Sequence, residues 1–260
     1  MDFLATIVGL KMGENLRLQE AGLMEGFEAA IARRPRPLSL KAALDGCPGT
    51  AIIAEVKRAS PSKGEFAMHW DPVELALTYQ DNGAAAISVL TEVSLFKGEP
   101  DFIRRMRPVI RIPILRKDFI LEAVQVYESA ALGADALLLI VSLLNPNQLR
   151  DLLAVTHSLG LEALVEVHTE SEMALAVAAR ARVIGINSRN LHTFEMFPDR
   201  ALELAPLAPQ GVTLVAASGI KSRADIERYE AAGIHAFLVG ETLVRAADPG
   251  EKLREFLESG

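Results

Sequence analysis

Eight short apolar runs, separated by amphipathic stretches of which five read as helices, constrain this chain more than any other feature. They are TAIIAEVK from Thr50, AAISVLT from Ala85, IPILRKD from Ile112, ALLLIV from Ala136, EALVEV from Glu162, VIGINS from Val183, TLVAASG from Thr213 and AFLVGE from Ala236. Runs this short and continuous read as strands buried on both faces, as in a parallel sheet. Between them lie DPVELALTYQDNG, EAVQVYESAALGAD, NPNQLRDLLAVTHSLGL, SEMALAVAA and SRADIERYEAAGIHA, several closing on the Gly that a helix C-terminus favours. Alternating units of this kind require right-handed crossovers. Eight of them between Thr50 and Val239 predict an α/β fold, a closed (β/α)8 TIM barrel. An open doubly wound sheet fits less well, because no GxGxxG turn follows any strand. Residues 1–48, with FEAAIARRPRPLSLKAALDG, predict one or two helices that cover the bottom of the barrel or overhang its top. The chain 1–260 thus reads as a single barrel domain with an N-terminal helical extension.

Composition narrows the partners. With 27 basic against 34 acidic residues, net charge −7, the chain has no global attraction for nucleic acid or an anionic membrane, so an anionic ligand must be held by a local basic site. No feature signals an obligate protein partner. The single cysteine, Cys47, excludes an internal disulfide, and the N-terminal apolar run is too short to span a bilayer and lacks the basic lead of a secretory signal. A cytoplasmic protein is expected.

Strand parity locates the chemistry, because barrel enzymes keep their sites at the C-terminal strand ends. On the first run Ile53, Glu55 and Lys57 share a face, while Ile52, Ala54 and Val56 form the apolar face that meets helices. Leu115 and Lys117, then Leu164, Glu166 and His168, then Gly185, Asn187 and Arg189 repeat the pattern. On the seventh run Leu214, Ala216 and Ser218 are expected to share the inward face, which places Ala217 on the opposite one. A lone charge at a strand end is usually a solvated loop residue, but several on one face of one barrel are harder to dismiss. Arg58, Lys63, Arg116 and Asp118 have the other parity or lie beyond the strand, and solvation or ion pairing accounts for them without chemistry. His168 is a candidate base. The other histidines, His69, His157, His192 and His235, are scattered and no H-E-x-x-H or C-x-x-C occurs, so no metal site is expected. Ser218 lacks a G-x-S-x-G elbow and reads better, with Gly219 and Gly240, as hydroxyl and backbone N–H groups facing a phosphate, with Lys57 adding a fixed charge.

The segments AEVKRASPSKG, SVLTE, LRKDFI, LVEVH, GINSRNL, ASGI and VGETL, in this order from about residue 50 onward, resemble the indole-3-glycerol phosphate synthase family. That resemblance implies ring closure of 1-(2-carboxyphenylamino)-1-deoxyribulose 5-phosphate with loss of carbon dioxide and water, without metal or organic cofactor. It implies Lys57 and Lys117 as active-site lysines, the division of steps between them left open, Glu55 and Glu166 as carboxylates, and Asn187 as a donor to developing oxygen charge. It places Ser60 and Arg189 near the substrate carboxylate, Phe96, Phe119 and Leu191 around the aromatic ring, and Ser218, Gly219 and Gly240 at the phosphate. Three stretches depart from the family pattern: Ala217 stands where many members carry glutamate, the N-terminus lacks a lysine-rich helix, and SLFKGEP differs from the usual run. The residues alone leave open another phosphosugar barrel enzyme, an isomerase or a Schiff-base aldolase acting through Lys117, and a non-catalytic phosphate-binding barrel.

Overall fold

The structure, a computed structural model, describes residues 3–20, 22–60, 64–66 and 70–258. All eight apolar runs are strands of one closed parallel barrel. Three helices come first, α1 (Phe3–Glu20), α2 (Leu23–Arg33) and α3 (Leu40–Asp45), and lead into β1 (Ala51–Val56). A short antiparallel hairpin follows, β2 (Ala59–Ser60) with β3 (Gly64–Glu65). Helix and strand then alternate: α4 (Pro72–Asp81), β4 (Ala86–Leu90), α5 (Asp101–Met106), β5 (Ile114–Lys117), α6 (Ala123–Leu132), β6 (Ala136–Ile140), α7 (Pro146–Ser158) and β7 (Glu162–Val167). The order continues with α8 (Glu170–Ala178), β8 (Val183–Asn187), α9 (Arg200–Leu204), β9 (Thr213–Ala217), α10 (Arg223–Glu230), β10 (Ala236–Val239), α11 (Glu241–Val244) and α12 (Pro249–Leu257). Consecutive barrel strands pair in parallel, and β10 closes onto β1 from Ala51 opposite Ala236 to Ala54 opposite Val239.

Local chemistry sets the helix boundaries. Asp71 caps α4 by accepting from Val73 N–H with Pro72 at the first helical position, and Asn145 with Pro146 starts α7 in the same way. Ser222 and Asp225 exchange side-chain and backbone bonds at the start of α10. Gly133, at φ 99°, ends α6 in the left-handed conformation that a side chain would resist.

Two apolar layers hold the barrel. Inside it pack Ala51, Ile53, Ala86, Leu115, Ala136, Leu138, Leu164, Val183, Ala236 and Leu238. Their odd-numbered or even-numbered neighbours, such as Ile52, Ala54, Ile87, Ile114, Leu137, Val165, Ile184 and Phe237, face the helices. The expected parity holds on β1, β5, β7 and β8 but not on β9. There Val215 and Ala217 belong to the inner layer, whereas Ala216, with Leu214 packed against it, belongs to the outer one. The reason is that Ser218, the one polar residue at this strand end, has a φ of 69° that breaks strand alternation, while Leu214, Val215, Ala216 and Ala217 are all apolar and offer no contrast of their own.

The N-terminal extension reaches both ends. α3 lies across the N-terminal strand ends: Leu40 and Leu44 enter the inner layer, Leu38 N–H donates to Asp135 Oδ1 (2.9 Å), and Lys41 N–H donates to Glu162 Oε2 (2.7 Å). α1 lies at the opposite end, where Lys11 Nζ is 2.7 Å from Asp118 Oδ1 with both side chains almost fully buried. α2 packs along α6, with Arg34 Nη1 donating to Ala130 O at 2.7 Å.

Candidate active site

A cavity of about 960 Å³ opens at the C-terminal ends of the strands. Thirteen residues predicted for the site line it, while His168, the candidate base, does not: Glu55 from β1 and Lys57 just after it, Ser60 from β2, Phe96 after β4, Lys117 and Phe119 at the end of β5, and Glu166 from β7. Asn187, Arg189 and Leu191 come from the end of β8 and beyond, Ser218 and Gly219 follow β9, and Gly240 follows β10. Residues far apart in sequence converge because each inward strand position rises to the same rim.

Two lysine–carboxylate pairs sit at the centre. Lys57 Nζ is 2.9 Å from Glu55 Oε1, and Lys117 Nζ is 3.6 Å from Glu166 Oε2. Burial alone would push the Glu166 carboxyl up, but Lys117, His168 and a hydrogen bond from Asn187 outweigh it and hold the group below the ordinary glutamate range. Asn187 Oδ1 in turn accepts Arg189 N–H at 3.0 Å, which fixes the amide between the two. Gly240 has an ordinary negative φ of −127°, so space and not backbone angle demands glycine there: a Cβ would fall on Glu55 Oε1 and lie 3.0 Å from Lys57 Nζ. The glycine is therefore the wall against which the first pair rests.

One end of the cavity is aromatic. Phe96 and Phe119, with ring centroids 6.0 Å apart, are joined by Phe3 from α1, at 6.5 and 6.3 Å from them, and Phe194 stands 5.0 Å from Phe3. Phe3, Phe96, Phe119 and Phe194 together line an apolar slot at this end of the cavity. Phe96 is aimed by Glu92, whose carboxylate accepts the N–H groups of Ser94, Leu95 and Phe96 at 2.8, 2.8 and 2.9 Å. Phe119 N–H donates to Asp118 Oδ1 at 2.8 Å. The other end is built from turns. Ser218 and Gly219 hold φ of 69° and 82° in succession, and Thr242 Oγ1 donates to Ile220 O at 2.6 Å, tying the loops after β9 and β10 together. Ser60 Oγ is buried with no partner in the described residues and is available to a ligand.

Several expectations about individual residues need correction. Ala217 is not on the far face: it belongs to the inner layer and lines the cavity beside Asn187. Arg116 and Asp118 are ion-paired as expected but not solvated. Arg116 Nη2 lies 3.1 Å from Asp118 Oδ2 and Nη1 lies 2.7 Å from Glu128 Oε2, with Arg116 and Asp118 about 3% and 2% exposed. Asp118 also lines the cavity. Arg58 is half-buried and paired with Glu99 at 2.9 Å; Lys63 and His69 lie outside the described residues. Phe3, Phe194 and Met196 were not anticipated. Phe3 reaches the mouth only through the packing of α1, which no short-range pattern announces. Among the described residues no three His, Cys, Asp or Glu side chains gather as metal ligands, and no helix is long and apolar enough to cross a membrane.

Comparison with known proteins adds an independent line. The family model described as indole-3-glycerol phosphate synthase matches residues 9–256. A protein of that name from Carboxydothermus hydrogenoformans is 50% identical over 85% of this chain and 85% of its own length. Another, from Mycobacterium sp. strain KMS, is 46% identical over 98% of this chain and 93% of its own. Among solved structures, KGPDC from Streptococcus mutans superposes with a TM-score of 0.62 at 14% identity over 80% of this chain and 96% of that one, a likeness of fold alone.

Proposed function

The chain belongs to the indole-3-glycerol phosphate synthase family, carboxy-lyases of tryptophan biosynthesis, and from that premise we propose how its cavity performs the ring closure. The substrate is 1-(2-carboxyphenylamino)-1-deoxyribulose 5-phosphate, a small phosphorylated aromatic aminosugar. Its aryl ring lies in the slot of Phe3, Phe96, Phe119 and Leu191, with Arg189 and Ser60 at the carboxylate. Its phosphate lies against Ser218, Gly219 and the start of α11 at Gly240, where Lys57, held by Glu55, adds a fixed charge. The chain 1–260 acts as a single barrel domain, to which α1 and α3 both contribute.

The chemistry needs an acid and a base within reach of two adjacent atoms. The aryl carbon bearing the carboxylate attacks the ketone carbon, and the ketone oxygen takes a proton as the C–C bond forms. Departure of carbon dioxide leaves its bonding electrons to restore the aromatic ring. The new hydroxyl is then protonated and leaves as water, while the neighbouring N–CH₂ carbon loses a proton. The oxygen first protonated is the one that later departs, so a single acid on that side serves both steps. We assign it to Lys117, and the base to Glu166. Their 3.6 Å separation lets the proton that Glu166 takes from carbon return to Lys117, and solvent supplies the one proton the overall reaction consumes. Asn187, bonded to Glu166, completes the polar face toward the oxygen.

The observation that carries this reading is the pair of unequal lysine–carboxylate contacts between an aromatic slot and a turn-built end within one cavity. The test is the reaction itself: with the carboxyphenylamino deoxyribulose phosphate, indole absorbance should grow with time and enzyme. No product at high enzyme concentration would remove the assignment.

A further inference from the structure

His168 sits behind Glu166 and has no role in the steps above. Its Nε2 lies 3.5 Å from Glu166 Oε1, and both atoms are buried without a hydrogen-bond partner in the described residues. The other carboxylate oxygen faces Lys117, so the imidazole meets the side of Glu166 turned from the acid. On its own far side Nδ1 lies 3.3 Å from Glu172 Oε2, the same oxygen that accepts the His168 backbone N–H at 2.6 Å. Glu172 is in turn fixed in the first turn of α8, where its N–H donates to the capping Thr169 Oγ1 at 3.2 Å. The ring is thus gripped through both backbone and side chain, and aimed at Glu166.

We propose that His168 is a positioning residue for the base: doubly protonated, it donates Nε2–H to Glu166 Oε1 and Nδ1–H to Glu172 Oε2. Held in this way, Glu166 keeps its Oε2 free toward Lys117 and the substrate. A neutral imidazole carries one N–H and leaves one of the two flanking carboxylates unserved, so only the imidazolium satisfies the geometry. The charged groups that face the ring are Glu166 on β7, Glu172 on α8 and Lys117 on β5, with neutral Asn187 of β8 on Glu166. Burial favours the neutral ring, but the bond to Glu172 and the two carboxylate charges prevail over it and over Lys117, so His168 holds its proton to higher pH than a free histidine. The inference rests on Glu166 being the base.

The test is kcat and KM across pH for the parent, His168→Ala, His168→Gln, Glu172→Gln and Glu166→Gln. His168→Ala should lower kcat by about 10- to 100-fold through misplacement of the base, with KM changed far less. His168→Gln, which keeps a donor near Nε2 without the charge, should recover most of kcat and lose the basic limb that His168 contributes. Glu172→Gln removes a carboxylate that stabilises the imidazolium, so that limb should move to lower pH. A histidine that merely held α8 in place would shift unfolding temperature and leave the limb unmoved. Folded His168→Ala with parental kcat and pH profile, beside an inactive Glu166→Gln, would overturn the proposal while leaving Glu166 as base. Parental kcat in Glu166→Gln would overturn both, starting from the base. Should His168→Ala fail to fold, an unmoved basic limb in Glu172→Gln overturns it alone.

Discussion

Three consecutive residues, Arg116, Lys117 and Asp118, carry charge at the end of β5 and meet two different worlds. Arg116 and Asp118 are almost fully buried, Asp118 at the edge of the cavity, and Lys11, Thr91, Ser129 and Glu128 satisfy them: Arg116 Nε donates to Thr91 Oγ1 at 3.0 Å and Nη1 to Ser129 Oγ at 3.1 Å, and Lys11 meets Asp118 at 2.7 Å. Lys117, between them in sequence, turns into the cavity and finds one carboxylate at 3.6 Å. The buried network holds α1 to the barrel; the lone lysine is left with hydrogen-bonding capacity for a substrate. Charge that is fully partnered builds structure, and charge left partly partnered at a rim is available for reaction.

That contrast can be broken most sharply at its centre. Lys117→Met keeps the apolar stem and deletes the charge, so kcat should fall by about 10² to 10⁴, the worth of a positioned acid, with thermal unfolding little changed. Steady-state rates beside a melting curve decide it, and a parental rate would place Lys117 with the structural charges. Next is Arg116→Met, which takes from buried Asp118 and half-buried Glu128 the cation they share and leaves Asp118 with Lys11 and Thr91. Removing one partner from such a group costs about 3 to 5 kcal/mol, so denaturant midpoints should drop steeply while kcat, measured where the variant is still folded, stays within a few-fold. Loss of kcat without loss of stability would reverse the two roles.

A smaller effect appears in acid. Burial pushes the Asp118 carboxyl up, but Arg116, Lys11 and the Thr91 hydroxyl outweigh it and hold the group below the usual aspartate range. With the folded value depressed, its contribution is fully present above the unfolded value of about 3.9 and is lost as pH falls through the lower folded one. Unfolding free energy followed downward from pH about 5 should therefore fall less steeply in Asp118→Asn than in the parent. The smallest effect belongs to a pair at the surface. Arg58 meets Glu99 at 2.9 Å and stacks 4.5 Å from the Phe102 ring, with both charged ends in solvent, so Arg58→Ala should cost no more than about 1 kcal/mol and should cost less still in high salt.

The strands were legible because each is a short apolar run between capped helices, and the inward residues were legible wherever a strand alternates polar with apolar. Glu55 and Lys57 against Ile52, Ala54 and Val56 leave no doubt about which face turns inward. β9 offers no such contrast, and Ser218, its one polar neighbour at the rim, has left strand geometry. The burial of Arg116 and Asp118 was not legible because Lys11, which accounts for it, arrives from the N-terminal helix. Phe3 was hidden for the same reason. α5 and α9, of six and five residues, were too short to show a helical period, and the β2–β3 hairpin has only two residues in each arm.

The inner position at the end of β9 holds only the methyl of Ala217, between Asn187 on one neighbouring strand and Leu238 on the other. Nothing in the helical layer depends on what stands there, because the outer face of the same strand is carried by Leu214 and Ala216. Such a position works as a blank address on the rim: a side chain placed there changes the mouth of the cavity and leaves the sheet–helix packing on the other face of the strand alone. A likeness of fold at 14% identity therefore carries no statement about the chemistry at the mouth.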